Sequence, residues 1–144
     1  MKPQEFRDAL DSQNFKPFYL FCPAKTSSSK TDSFEPVLVQ ESIRYAVDRF
    51  VDPSIRDLAY SVFYADEADP KDIVATAATL PFLSEKRIVV VQRAESLLSE
   101  NAAAPLFEYL ENPSETTLLL LVASQIDRRS KLFKLFDKTD AVVE

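Results

Sequence analysis

Residues 24–31, Ala-Lys-Thr-Ser-Ser-Ser-Lys-Thr, repeat the spacing of the nucleotide-binding loop G-x-x-x-x-G-K-T with both glycines replaced. In that loop glycine lets successive backbone N–H groups wrap a phosphate, and the lysine reaches the terminal phosphates. Lys30 and Thr31 occupy the lysine and hydroxyl positions. Without glycine the wrap is lost. Phe34-Glu35-Pro36 also follows, so a helix does not run straight on from Lys30 and Thr31. The segment reads as a polar loop carrying a vestige of the motif, with nucleotide binding through 24–31 as the alternative.

Other reactive groups are sparse. Asp66, Glu67 and Asp69 could offer oxygen ligands to a divalent cation, but such a run more often forms a solvated turn and a helix cap; no metal site is expected. The apolar run ending at Val122 continues as Ala123, Ser124 and Gln125, without the carboxylate that organises magnesium at such a strand end. Residues 126–138 carry five basic and two acidic side chains. Arg128, Arg129 and Lys131 are candidates for weak DNA contact, set against the plainer reading of a solvated helix face. Histidine is absent, which excludes His-based catalysis and His-containing zinc sites within the chain. Cys22, the one cysteine, has no imidazole to activate it and reads as a small packed residue.

The elements that must position these residues alternate. Pro3 to Asp11 reads as a helix with Phe6, Ala9 and Leu10 on one face, and Phe18 to Phe21 as a buried strand. From Pro36 a second helix carries Val39, Ile43, Ala46, Val47 and Phe50 on one stripe. Leu58 to Tyr64 reads as a strand. Asp69 and Pro70 open a helix with Ile73, Val74, Ala77 and Leu80 as its apolar stripe. Ile88 to Val91 is the third strand. Ser99 caps a helix burying Ala103, Leu106, Phe107 and Leu110, with Pro105 kinking or restarting it. Thr116 to Val122 is the strongest strand signal. A last helix carries Leu132, Leu135 and Phe136, and Ala141 to Val143 begins a fifth strand. Alternation at this spacing predicts an α/β fold, a mostly parallel sheet with helices on both faces.

The chain has 144 residues and a net charge of −6. That length fits one domain with a single core, and the acidity argues against a broad DNA-binding surface. A lone cysteine fits a reducing, cytoplasmic setting. No apolar run reaches the roughly 18 residues of a membrane span. Glycine is absent altogether, where average usage would give about ten. Ending on Ala-Val-Val-Glu, partway into a strand, the chain reads as an N-terminal domain, residues 1–144, of a longer subunit.

One segment stands apart. Thr79-Leu-Pro-Phe-Leu-Ser-Glu-Lys-Arg87 joins a helix to a strand with Leu80, Phe82 and Leu83 in the connection. Connections lie on the surface, so these side chains either close the base of the core or form an apolar anchor for a partner.

The order and spacing of several pieces give the chain a family resemblance. MKPQEF, KPFYLF, EPVLVQESI and YADEAD are followed by TLPFLSEKRIVVVQRAESL, FEYLENPSETTLLLLV, IDRRSKLFK and the terminal AVVE. Together they resemble the N-terminal domain of the delta subunit of bacterial DNA polymerase III, part of the sliding-clamp loader. The resemblance implies an AAA+-like sheet without a functional ATP site, no cofactor and no catalysis of its own. It implies binding to the beta sliding clamp and help in opening it for DNA replication. The other partners implied are the loader subunits delta prime and gamma/tau, with DNA held only in the assembled complex. The family's clamp-binding element is an apolar pair after a helix. Carried onto this chain it falls on Phe82 and Leu83, with Leu80 in support. The resemblance also implies a collar domain in the full subunit, beyond the domain expected over residues 1–144. The polar stretch 22–33 departs from the family's short connection and looks like an insertion.

Overall fold

A computed structural model describes residues 1–23, 36–81, 84–97 and 100–144. Lys30, Thr31, Phe82, Leu83 and Ser99 lie outside the described residues.

Among the described residues five strands form one sheet. They are β1 (Phe18–Phe21), β2 (Tyr60–Tyr64), β3 (Arg87–Gln92), β4 (Thr117–Val122) and β5 (Val142–Val143). Their order is β2-β3-β4-β1-β5, and every pairing is parallel. Among the described residues six α-helices accompany them: α1 (Pro3–Asp11), α2 (Pro36–Phe50), the short turn α3 (Arg56–Ala59), α4 (Pro70–Ala78), α5 (Glu100–Glu111) and α6 (Lys131–Lys138). The expected α/β architecture is what the chain adopts.

Crossover handedness assigns the faces. From β1 the chain jumps to the far edge at β2; the later strands then step back the other way. Right-handed connections therefore place α2 on one face and α4, α5 and α6 on the other. The aromatic packing agrees. Phe6 of α1 meets Tyr19 and Phe21 edge-on, at centroid distances of 5.0 and 5.1 Å. Phe18, pointing the opposite way along the pleat, meets Phe136 of α6 at 5.1 Å. All six residues of β4 are buried, as a central strand covered on both faces requires.

The stripe predicted for α2 is buried in full. Two boundaries, at Leu58 and Leu80, differ from expectation. Leu58 belongs to α3 and is exposed, so the second strand starts at Tyr60. Asp52 caps a 3-10 turn, Pro53–Ile55, that runs directly into α3: its carboxylate accepts from Ser54 N at 2.9 Å and Ser54 Oγ at 2.8 Å. These bonds hold the Asp52 carboxyl below its ordinary range. Pro105 lies within α5 without ending it. Leu80 is not part of the α4 stripe, because α4 stops at Ala78; Val74 of that stripe is only half-buried.

A chain without glycine must still close its helices. Gln13 and Asp140, the residues following the C-caps of α1 and α6, both take a left-handed φ of 57°. In each case two bonds satisfy the last carbonyls. They are Gln13 N to Leu10 O and Asn14 N to Ala9 O, and Asp140 N to Asp137 O and Ala141 N to Phe136 O. A Cβ costs roughly 1–2 kcal/mol in this conformation, partly offset by a stiffer unfolded chain. Gln13→Gly should therefore raise unfolding stability by about 0.5–1 kcal/mol, read from a denaturant midpoint. A destabilised variant would show that the Gln13 side chain contributes something beyond the turn.

Candidate functional site at the end of α4

Helix α4 descends from the C-terminal end of β2 to the N-terminal end of β3. The Asp69 carboxylate caps its start by accepting from Lys71 N at 2.9 Å, with Pro70 beside it. It ends because Pro81 disfavours helical backbone at Leu80. Thr79 has already turned extended, with φ −78° and ψ 131°. Leu80 follows with 71% of its surface exposed, the highest exposure of any large apolar residue among those described.

Polar groups hold the root of this tip, and two of them, Thr117 and Arg87, are buried. Thr117 Oγ1, at the start of β4, donates to Ala77 O at 2.6 Å. Arg87, at the start of β3, is buried; its Nε donates to Thr79 O at 3.0 Å and its Nη2 to Leu80 O at 3.3 Å. Ser84 Oγ lies 3.1 Å from Phe50 O and 2.6 Å from Lys86 O. Lys86 Nζ donates to Glu115 O at 2.6 Å. An exposed apolar side chain thus stands on a backbone tied to two strands and to the end of α2. Thr117→Val keeps the shape and removes the donor to Ala77. It should cost about 1–3 kcal/mol of stability, the cost of a buried carbonyl losing its partner. An unchanged midpoint would mean that the carbonyl finds another donor.

The opposite rim of the sheet is where ligands of such folds bind, outside the carboxyl ends of the strands at the point where connections reverse. Here that point lies between β1 and β4. Ser124 N and Oγ meet the Glu95 carboxylate at 3.3 and 3.2 Å. Arg128 donates to Pro23 O at 2.7 Å, faces Glu144 at 3.5 Å and stacks on Phe133. Glu95 was not singled out from the sequence, since nothing in its spacing marks it.

The three cations considered for DNA contact do not act as one cluster. Arg128 is engaged within the chain. Arg129 is exposed and binds Asp127, whose carboxyl is held below the usual range chiefly by the Arg129 backbone N–H. Lys131 sits 4.8 Å from the Phe107 ring. Arg129 and Lys131 line a shallow groove with Lys134, Leu135 and Lys138. In the acidic trio, Asp66 pairs with Arg93 at 2.9 Å and Asp69 is the helix cap. Among the described residues no group of three or more His, Cys, Asp or Glu is arranged to hold a metal, and no helix is long and apolar enough to cross a membrane.

A family model described as "DNA polymerase III, delta subunit" matches residues 34–144. The chain belongs to the DNA polymerase III delta subunit family. This is the family of an accessory subunit of that polymerase, and it agrees with the resemblance read from the sequence. The DNA polymerase III subunit delta of Bacillus subtilis (strain 168) is 32% identical over 120 residues, covering 76% of this chain and 34% of that protein. The solved structure of the Bacillus subtilis DNA clamp loader delta protein (YqeN) matches with a TM-score of 0.81 at 25% identity, over 99% of this chain and 42% of that one. This delta-family chain therefore spans less than half the length of either relative.

Proposed function

We propose that residues 1–144 are the clamp-binding domain of a delta subunit, and that the tip after α4 is its anchor. Leu80, Phe82 and Leu83 enter an apolar pocket on the beta sliding clamp. The observation that carries this reading is the exposure of Leu80 on an anchored backbone; a residue closing the core would be buried. Apolar anchors filling a pocket supply most of the energy of such interfaces. Opening of the clamp ring follows if the tip binds the open interface more tightly than the closed one, because a ligand shifts an equilibrium only by its differential affinity. The chain performs no chemistry; other loader subunits, delta prime and gamma/tau, complete the machine and handle ATP, and DNA is held only in the assembled complex.

The test is direct binding of this chain to the beta clamp of the same organism, wild type beside Phe82→Ala/Leu83→Ala. Loss of binding in a folded double variant supports the reading, and equal binding by both sinks it. The competing nucleotide-binding reading of 24–31 requires saturable ATP binding that disappears in Lys30→Ala.

A further inference from the structure

We infer that Arg87 is a positioning residue for the clamp-binding tip, holding Leu80 in its presented orientation before any partner arrives. The inference rests on the clamp reading above. Arg87 is only 9% exposed. Among the described residues it has no carboxylate within ion-pair distance. Its charge is spent on two successive carbonyls, Thr79 O and Leu80 O, at 3.0 and 3.3 Å.

Placement explains why a guanidinium serves here. The C-terminal end of α4 concentrates carbonyl oxygens and partial negative charge, which favours a cation just beyond it. A planar fork can engage two carbonyls at once, which an ammonium does as a single point charge. Fixing the Thr79 and Leu80 carbonyls fixes the two peptide planes on either side of the Leu80 Cα, and so the direction in which the Leu80 side chain leaves the chain. Proline locks φ at Pro81, leaving the Arg87 contacts to set the planes before it. Arg87 is also the first residue of β3, pinned by its own N–H to Thr116 O at 2.9 Å. The tip is thereby referenced to the sheet. A tip ordered in advance loses less conformational freedom on binding, and a rigid link to the sheet is what transmitting force to a clamp interface requires.

The experiment compares wild type, Arg87→Met and Arg87→Lys for clamp affinity and for amide hydrogen exchange. Met keeps the apolar stem and removes the fork; Lys keeps the charge and guards against a Met variant that fails to fold. We expect exchange at Thr79, Leu80 and 84–86 to speed up at least tenfold in Arg87→Met while β1 and β4 stay protected, and clamp affinity to fall about tenfold. Arg87→Lys should fall between. A purely structural role would not produce coupling. In a Leu80→Ala background, Arg87→Met should cost less than threefold further, and Ile88→Val, a core change that spares the tip, should leave affinity unaltered. Wild-type affinity in Arg87→Met, or full additivity with Leu80→Ala, overturns the inference and leaves the clamp reading standing. Failure of wild type itself to bind the clamp overturns both, and the exchange data then report only how the loop is held.

Discussion

Phe6→Ala should lower the unfolding free energy by about 3–5 kcal/mol, the range for removing a buried aromatic ring. Phe6 is fully buried, and α1 buries only Phe6 and Leu10. Its ring lies edge-on to both Tyr19 and Phe21. The variant therefore loses apolar burial, two favourable aromatic pairs and the filling of the space between α1 and β1. Against a typical domain stability of about 5–15 kcal/mol this is a large fraction, and the denaturant midpoint should fall with little change in slope. Leu80→Ala is the contrasting measurement. Leu80 is 71% exposed, so its truncation should shift stability by no more than about 0.5 kcal/mol. A Phe6→Ala loss below about 1 kcal/mol would mean that α1 is an appendage, and the face assignment of α1 and α2 would need revision.

Much of this architecture was legible because burial imposes a period. Val39, Ile43, Ala46, Val47 and Phe50 can share a buried stripe only on a helix, and Thr117 to Val122 can all be buried only in a central strand covered on both faces. Where local chemistry overrides the apolar pattern, reading by hydrophobicity fails. Leu58 looks like strand, yet Asp52-Pro53 starts a turn by the same cap-then-proline device that marks α4 at Asp69-Pro70. Leu80 continues the α4 spacing, yet Pro81 withdraws it from the helix and leaves it in solvent. The contacts of Arg87 and Thr117 with the α4 terminus were invisible for another reason. They join residues 8 and 40 positions apart, and no spacing rule connects a strand's first residue to the end of a helix before it. The cations of 126–138 show the complementary limit: composition placed them together, while the fold turned Arg128 inward to Pro23 O and left Arg129 and Lys131 outside.

Phe82→Ala/Leu83→Ala should weaken binding to the beta clamp by at least ~2 kcal/mol, roughly 30-fold, without unfolding the domain. Moving a Phe or Leu side chain from water into an apolar pocket is worth about 1.5–3 kcal/mol each. If both are fully buried in the complex, truncation to alanine removes most of that twice over, and the ordering cost of the tip recovers only part. The loss should appear mainly in the dissociation rate, since a smaller anchor leaves the pocket faster while encounter is unchanged. It should also be nearly independent of salt, because the contact is apolar; a steep salt dependence would instead direct attention to Arg129, Lys131 and the groove along α6. Retained thermal stability in the double variant separates a lost contact from a lost fold. Equal affinity of the two proteins would move the contact away from the α4 tip. The anchored backbone at Thr79 and Leu80 would then be a structural end to a helix, and the apolar connection would need a different partner.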